Sequence, residues 1–358
     1  MMRFLVLAAI AASFSVPAWA VEVKAPLERI ISDYIVPASA QFANTAAGLP
    51  DAVMSVCETP GEGTVASLEK VYAQTVFDFS RIHFLRFGPL IENDRLSRLA
   101  FLPDPRGIGQ RQIRKVFASR DAGVLSPDSL GSKSVALQGL TAFQLIAFDK
   151  NGSIVLGAPG ENKDFTCGYA AAIAQNVAAI AESVARDWAN PDGYRALLLS
   201  AGPDNERFRT TKEAVETVFN GLVTGLIVAR DQNILPALGS SEAKAKPRRF
   251  PFARSGNSIL FLKGELSGLR EALFNMNLQD LTPEDFQWIF GSLSFEFANG
   301  ENLLEQLKPP LRETLGEDGS YAKVSLLAIT IKSIRDTLAL ELAGALALSG
   351  GFNALDGD

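Results

Sequence analysis

Apolar side chains recur at helical spacing along most of this chain. Ile173, Val177, Ile180, Val184 and Trp188 step by four, three, four and four, and Ile259, Leu262, Leu266, Leu269 and Leu273 step by three, four, three and four. Residues three and four apart share one face of an α-helix, so each set predicts an amphipathic helix with a single buried stripe. A longer stripe of Val324, Leu327, Ile331, Ile334, Leu338 and Leu342 predicts a helix from about Ser320 towards Leu348, with Gly350-Gly351 as its stop. Further helices are expected near Leu27–Ala47, Thr64–Phe84, Thr211–Arg230 and Pro283–Phe297. Strand signals are scarce: one hairpin-like stretch, Leu145–Leu156, is broken by Asn151-Gly152. The pattern specifies an all-α fold. The Gly/Pro-rich segment Asn190–Asp204 separates two helix-rich halves, which predicts two packed helical-bundle domains, 21–200 and 205–358, with the cleft between them as the default binding site. A second irregular segment, Leu238–Gly256, lies inside the later half.

One stretch stands out, Ser134 to Asp149, because it is nearly all apolar yet carries a narrow polar stripe. Ser134, Gln138, Thr141 and Gln144 are spaced by four, three and three, which on a continuous helix aligns them on one face. Buried polar groups need partners, since an unpaired hydroxyl or amide costs roughly 1–3 kcal/mol. The stripe is therefore either a satisfied internal network or the lining of a site.

Residues 1–20 read as a cleavable secretory leader, with a basic start at Arg3, an apolar core and Ala18-Trp19-Ala20 as the cleavage site. Later apolar runs are too short to span a membrane: Leu222–Ala229 stops at Arg230-Asp231, and Ser325–Ile331 stops at Lys332. The net charge is −6 and becomes −7 without the leader, which argues against a nucleic-acid partner. The local cluster Lys244, Lys246, Arg248 and Arg249 reads as a solvated linker. Cys57 and Cys167 are the only cysteines. In an oxidising compartment an isolated pair most simply forms one disulfide; two buried free thiols are the alternative.

Several sequence blocks, in order, resemble the imelysin family (peptidase family M75). They are Phe87-Gly88-Pro89, Phe101-Leu102-Pro103-Asp104-Pro105-Arg106-Gly107, the Gly139 helix, Arg254-Ser255-Gly256, and the ending Gly351 to Asp358. The resemblance implies two packed helical bundles, export to the cell envelope and periplasm, and a link to iron uptake. The family signature Gly-x-His-x-x-Glu falls on Gly139, Thr141 and Gln144, so the imidazole and carboxylate that would converge on a metal ion are replaced by a hydroxyl and an amide. His83, the only histidine, cannot build a multi-histidine site and reads as structural. H-E-x-x-H, G-x-S-x-G and phosphate-loop motifs are absent.

Candidate binding residues are therefore Gly139, Thr141 and Gln144, with Arg86, Asp104, Arg106, Arg254 and Ser255 in irregular segments beside helices. No cofactor is predicted. The favoured reading is a non-catalytic envelope protein that binds a small polar ligand, a peptide or an envelope protein. One alternative is a metallopeptidase or iron binder with carboxylate ligands such as Glu92, Asp94 or Asp104. Another is a structural helical adaptor. Asp356 and Asp358 at the chain end read as solvated.

Overall fold

The structure is a computed structural model that describes residues 18–349, with side chains described from Lys24 onward. Residues 1–17 of the expected leader therefore lie outside the described region, as do Gly350-Gly351 and the terminal Asp356 and Asp358, while the expected cleavage site, Ala18-Trp19-Ala20, falls on its first three residues.

The fold is all-α, as the apolar stripes require. The first helices are α1 (Ala18–Arg29), α2 (Val36–Ala47), α3 (Leu49–Glu58), α4 (Glu62–Ile82), α5 (Arg95–Leu99), α6 (Ile108–Ser119), α7 (Pro127–Gly131), α8 (Gly139–Ala147) and α9 (Lys163–Ala189). The later ones are α10 (Tyr194–Leu199), α11 (Thr211–Ile227), α12 (Leu235–Leu238), α13 (Ser258–Asn275), α14 (Trp288–Glu305), α15 (Leu311–Thr314), α16 (Ser320–Asp336) and α17 (Ala343–Ala345). Wide π-helical turns at Ile30–Ile35, Val228–Ile234 and Thr337–Leu342 continue α1, α11 and α16 without a break in chain direction. Such turns shift the side-chain register by one position and are found often at functional sites.

α2, α3, α4, α8 and α9 pack on one another, and α11, α13, α14 and α16 form a second group. α4 belongs to both, because its other face lies against α13. The α4–α13 contact is close for a reason visible in sequence. Gly264 and Gly268 present bare backbone to α4: a Cβ on Gly264 would stand 1.8 Å from Ser80 Oγ, and one on Gly268 would stand 2.3 Å from the Arg81 carbonyl oxygen. Absent side chains at this spacing let two helices approach within backbone contact. The intervening Glu265 is thereby carried into the interior, where it is 4% exposed.

Cys57 of α3 and Cys167 of α9 are joined by a disulfide, with Cα atoms 5.9 Å apart. The hairpin-like stretch forms a tight turn, with a single antiparallel bridge between Phe148 and Ile154. The Asp149 carboxylate accepts from the amides of Asn151 and Ser153, at 2.8 and 2.9 Å, and holds the turn shut.

The expected continuous helix from Ser134 is corrected. Ser134 caps a 3₁₀ turn over Val135–Leu137, Gln138 is extended, and α8 begins only at Gly139, whose φ is +73°. The four polar residues therefore do not share a face. Tertiary contact overrides the periodic pattern here: the carbonyls of Arg98 and Leu99 come so near Gly139 that its ideal Cβ would lie 2.2 and 2.3 Å from them. Only glycine fits that approach, and it resets the chain direction.

Candidate functional site

The broken stripe sorts its polar residues into different roles. Gln138 is 1% exposed and satisfied internally: its Oε1 accepts from Arg98 Nε at 3.0 Å and from Asn176 Nδ2 at 3.3 Å, and its Nε2 donates to the Lys133 carbonyl at 2.8 Å. Thr141 and Gln144, both 8% exposed, instead form the floor of a cleft of about 400 Å³. One wall is the Phe101–Gly107 block and the other comes from Asp231–Asn233 and Arg248–Phe252. The lining thus draws on both halves of the chain. The tyrosine hydroxyls of Tyr72 and Tyr169 pin the floor from beneath, donating to the carbonyls of Leu140 and Leu137, each at 2.8 Å.

The acceptor atoms of the two motif side chains already have donors from the protein. Thr141 Oγ1 accepts from the Phe101 amide at 3.0 Å. Gln144 Oε1 accepts from the Ser255 amide at 3.2 Å and lies 3.4 Å from its hydroxyl. Asp104 is equally committed: its two carboxylate oxygens accept from the amides of Ile108 and Gly109, at 2.7 and 2.9 Å, and so anchor the first turn of α6.

The remaining candidates sit elsewhere. Arg254 is behind the floor, where its Nε donates to the Phe148 carbonyl at 2.7 Å. Arg312 reaches the same region from α15, donating to the carbonyls of Ala253, at 2.8 Å, and Arg254, at 3.1 Å, and to that of Asn151. Arg106 is exposed and outside the cleft lining, and Gly139 is buried against α5 rather than facing the ligand space. Glu92 and Asp94 are exposed on a turn before α5 and do not join Asp104 in the cleft. Among the described residues, no three His, Cys, Asp or Glu side chains gather in a metal-binding group.

Arg86 belongs to a buried relay that sequence spacing did not reveal. His83 Nδ1 lies 2.9 Å from Glu265 Oε1, and Asn233 Nδ2 donates to both oxygens of Glu265 at 2.8 and 3.0 Å. Arg86 Nη2 stands 3.4 Å from His83 Nε2. A neutral imidazole protonated on Nδ1 satisfies every contact, donating to the carboxylate and accepting from the guanidinium. Asn233 also lines the cleft, so it joins the relay to the ligand space from within a π-helical turn.

Burial drives the His83 pKa below its ordinary value of 6.5, outweighing the hydrogen bond that His83 donates to Glu265, which raises it; the positive Arg86 adds to the lowering. A folded-state value below the unfolded one means that the unfolded chain takes up the proton first as pH falls. Stability from this group is therefore complete above about pH 6.5 and declines as the solution is acidified below it. Because His83 is the only histidine, His83→Asn, which can still donate to Glu265, should flatten the dependence of the urea midpoint on pH as the solution is acidified below about 6.5. An unchanged slope in the variant would assign the dependence to other groups.

The missed contributors to the cleft are Asn233, Phe250, Phe252, Arg248 and Arg249. For the four in the loop the sequence signal is the irregular, Pro-containing run between Leu238 and Gly256, and for Asn233, in the π-helical turn before it, there is none.

Comparison with known proteins places this geometry. No curated protein sequence is significantly similar to the chain. An imelysin-like protein from Psychrobacter arcticum 273-4 has a similar structure, with a TM-score of 0.77 at 19% identity, covering 96% of this chain and 100% of that one. A protein from Parabacteroides distasonis ATCC 8503, described as a candidate iron-regulated protein A precursor, gives a TM-score of 0.73 at 11% identity, covering 91% and 96%. These likenesses establish the fold. The family model described as Imelysin, Peptidase_M75, matches residues 35–338, and with that span the chain belongs to the imelysin family.

Proposed function

We propose that this protein is an exported, non-catalytic imelysin-family binding protein of the cell envelope that takes its ligand in the Thr141–Gln144 cleft. The observation that carries the reading is the use of the motif's own oxygens: Thr141 Oγ1 and Gln144 Oε1 are occupied by the amides of Phe101 and Ser255, and neither side chain is charged. A divalent ion placed there would lose its water and gain no compensating charge, at a cost of several kcal/mol or more. The donor set does not fit a transition metal, so no metal-dependent hydrolysis is assigned to it. Export is supported by the leader-like residues 1–20, with cleavage after Ala20. An iron-related role is supported by the family and by the description of the Parabacteroides protein as iron-regulated. No helix among the described residues is long and apolar enough to cross a membrane.

The test is a gain of ligands. Calorimetric titration of mature wild-type protein with Fe²⁺ and Zn²⁺ should show no tight one-to-one binding, whereas Thr141→His combined with Gln144→Glu should bind. The scaffold can accept the exchange at Gln144, because a glutamate oxygen would receive the same Ser255 donors. Tight binding by wild type that Gln144→Ala abolishes would overturn the proposal.

A further inference from the structure

Acids and bases line the cleft in equal number but are not equally engaged, and the difference points to the ligand's chemistry. The ionisable side chains that line it are Asp104, Asp231, Arg248 and Arg249. Both acids are already engaged, Asp104 by the amides of Ile108 and Gly109 and Asp231 by the neighbouring Arg230. Arg248 and Arg249 are exposed and make no ion pair or side-chain hydrogen bond among the described residues. Lys244 and Lys246, on the same loop, also carry no acidic partner. A chain with a net charge of −6 thus holds four cations without a direct ion pair on one loop, whose single acid is the exposed Glu242, and two of the four line its cleft.

This loop is held in a defined place. Phe250 is 3% exposed and anchors one end, and the Lys246 amide donates to the Ala237 carbonyl at 2.6 Å. The Arg249 amide closes the turn onto the Lys246 carbonyl at 2.8 Å. The guanidinium groups are therefore presented from a fixed backbone beside walls that are mostly apolar, including Phe101, Leu102, Phe250 and Phe252.

We infer that the cleft takes a small ligand with an apolar body and an anionic head, the body against the aromatic wall and the head against Arg248 and Arg249. A planar guanidinium fork matches a carboxylate or a phosphate with two parallel hydrogen bonds, which a lysine cannot reproduce. Gln144 contributes a neutral acceptor that is already taken, so it does not oppose the anion. This inference rests on the reading of the cleft as a binding site and adds the class of ligand.

Matched probes separate the charge from the shape. Octanoate and octanamide, phenylbutyrate and phenylbutyramide, and octyl phosphate are titrated into the mature full-length protein at low and physiological salt. The anions should bind about tenfold or more tightly than their amides, with the preference shrinking as salt rises. Arg248→Ala with Arg249→Ala should abolish the preference, while Lys212→Ala, on α11, should leave it intact. Whether octanoate or octyl phosphate binds better tells which head the fork takes. Equal binding of acids and amides would overturn the inference while leaving the cleft a binding site. An anion preference that survives in the double arginine variant would also overturn it. Binding of no probe would do the same, and the binding reading would then be judged by the metal titration alone.

Discussion

Reducing the bond between Cys57 and Cys167 should remove about 4–5 kcal/mol of stability. The two residues are 110 positions apart, and the loop between them contains α4, the Phe101–Gly107 wall and the whole of α8. In the chain-entropy account the link acts on the unfolded state, which is denied the conformations in which these ends separate, and the restriction grows with the logarithm of loop length. Urea unfolding of mature protein with and without a thiol reductant measures the effect. The reduced protein should unfold at a lower midpoint and with a steeper dependence on urea, since its unfolded chain is more expanded. Coincident curves would show that the link does not constrain the unfolded chain in this way. Cys57→Ser with Cys167→Ser should behave like the reduced protein, and no longer respond to reductant.

Gly139→Ala should be comparably damaging, at about 3–5 kcal/mol. The residue has a φ of +73°, where a side chain costs about 1–3 kcal/mol. The new Cβ would also overlap the carbonyl oxygens of Arg98 and Leu99, which are backbone atoms and cannot swing aside. Relieving that overlap requires α5 to part from α8, at a further cost of about 1–3 kcal/mol. Because α8 carries Thr141 and Gln144, the displacement also opens the cleft floor. A thermal melt by circular dichroism should show the loss of stability, and an unshifted transition would mean that the two helices separate freely. Gly107→Ala is the useful contrast, since its φ of +62° carries conformational strain but its Cβ would meet no atom within 4 Å.

The helices were legible in sequence because each has one buried stripe, and Ile173 to Trp188 or Ile259 to Leu273 need no information beyond their own spacing. The Ser134–Gln144 stripe misled for the opposite reason. Its geometry is decided at Gly139 by two carbonyls from α5 about 40 positions earlier, and no local pattern reports them. The motif positions Thr141 and Gln144 could be found from the family pattern, but the donors that occupy their oxygens, Phe101 and Ser255, could not. His83 and Glu265 are 182 residues apart, so reading His83 as structural was possible while naming its partner was not. Arg248 and Arg249 looked like a solvated linker because a run of charges does not say what faces it. Their importance appears only when the two acids that line the cleft prove to be engaged by other groups.

The Arg312 guanidinium joins three carbonyls, those of Ala253, Arg254 and Asn151, in chain segments far apart in sequence. These segments support the loop that bears Ser255 and the turn that follows α8. The cleft is consequently shaped before anything enters it, and little conformational freedom remains to be surrendered on association. A rigid receptor of this kind discriminates by rejecting misfits rather than by adapting to them. Selectivity among anionic guests would then follow the outline of the cavity more closely than the strength of any single contact.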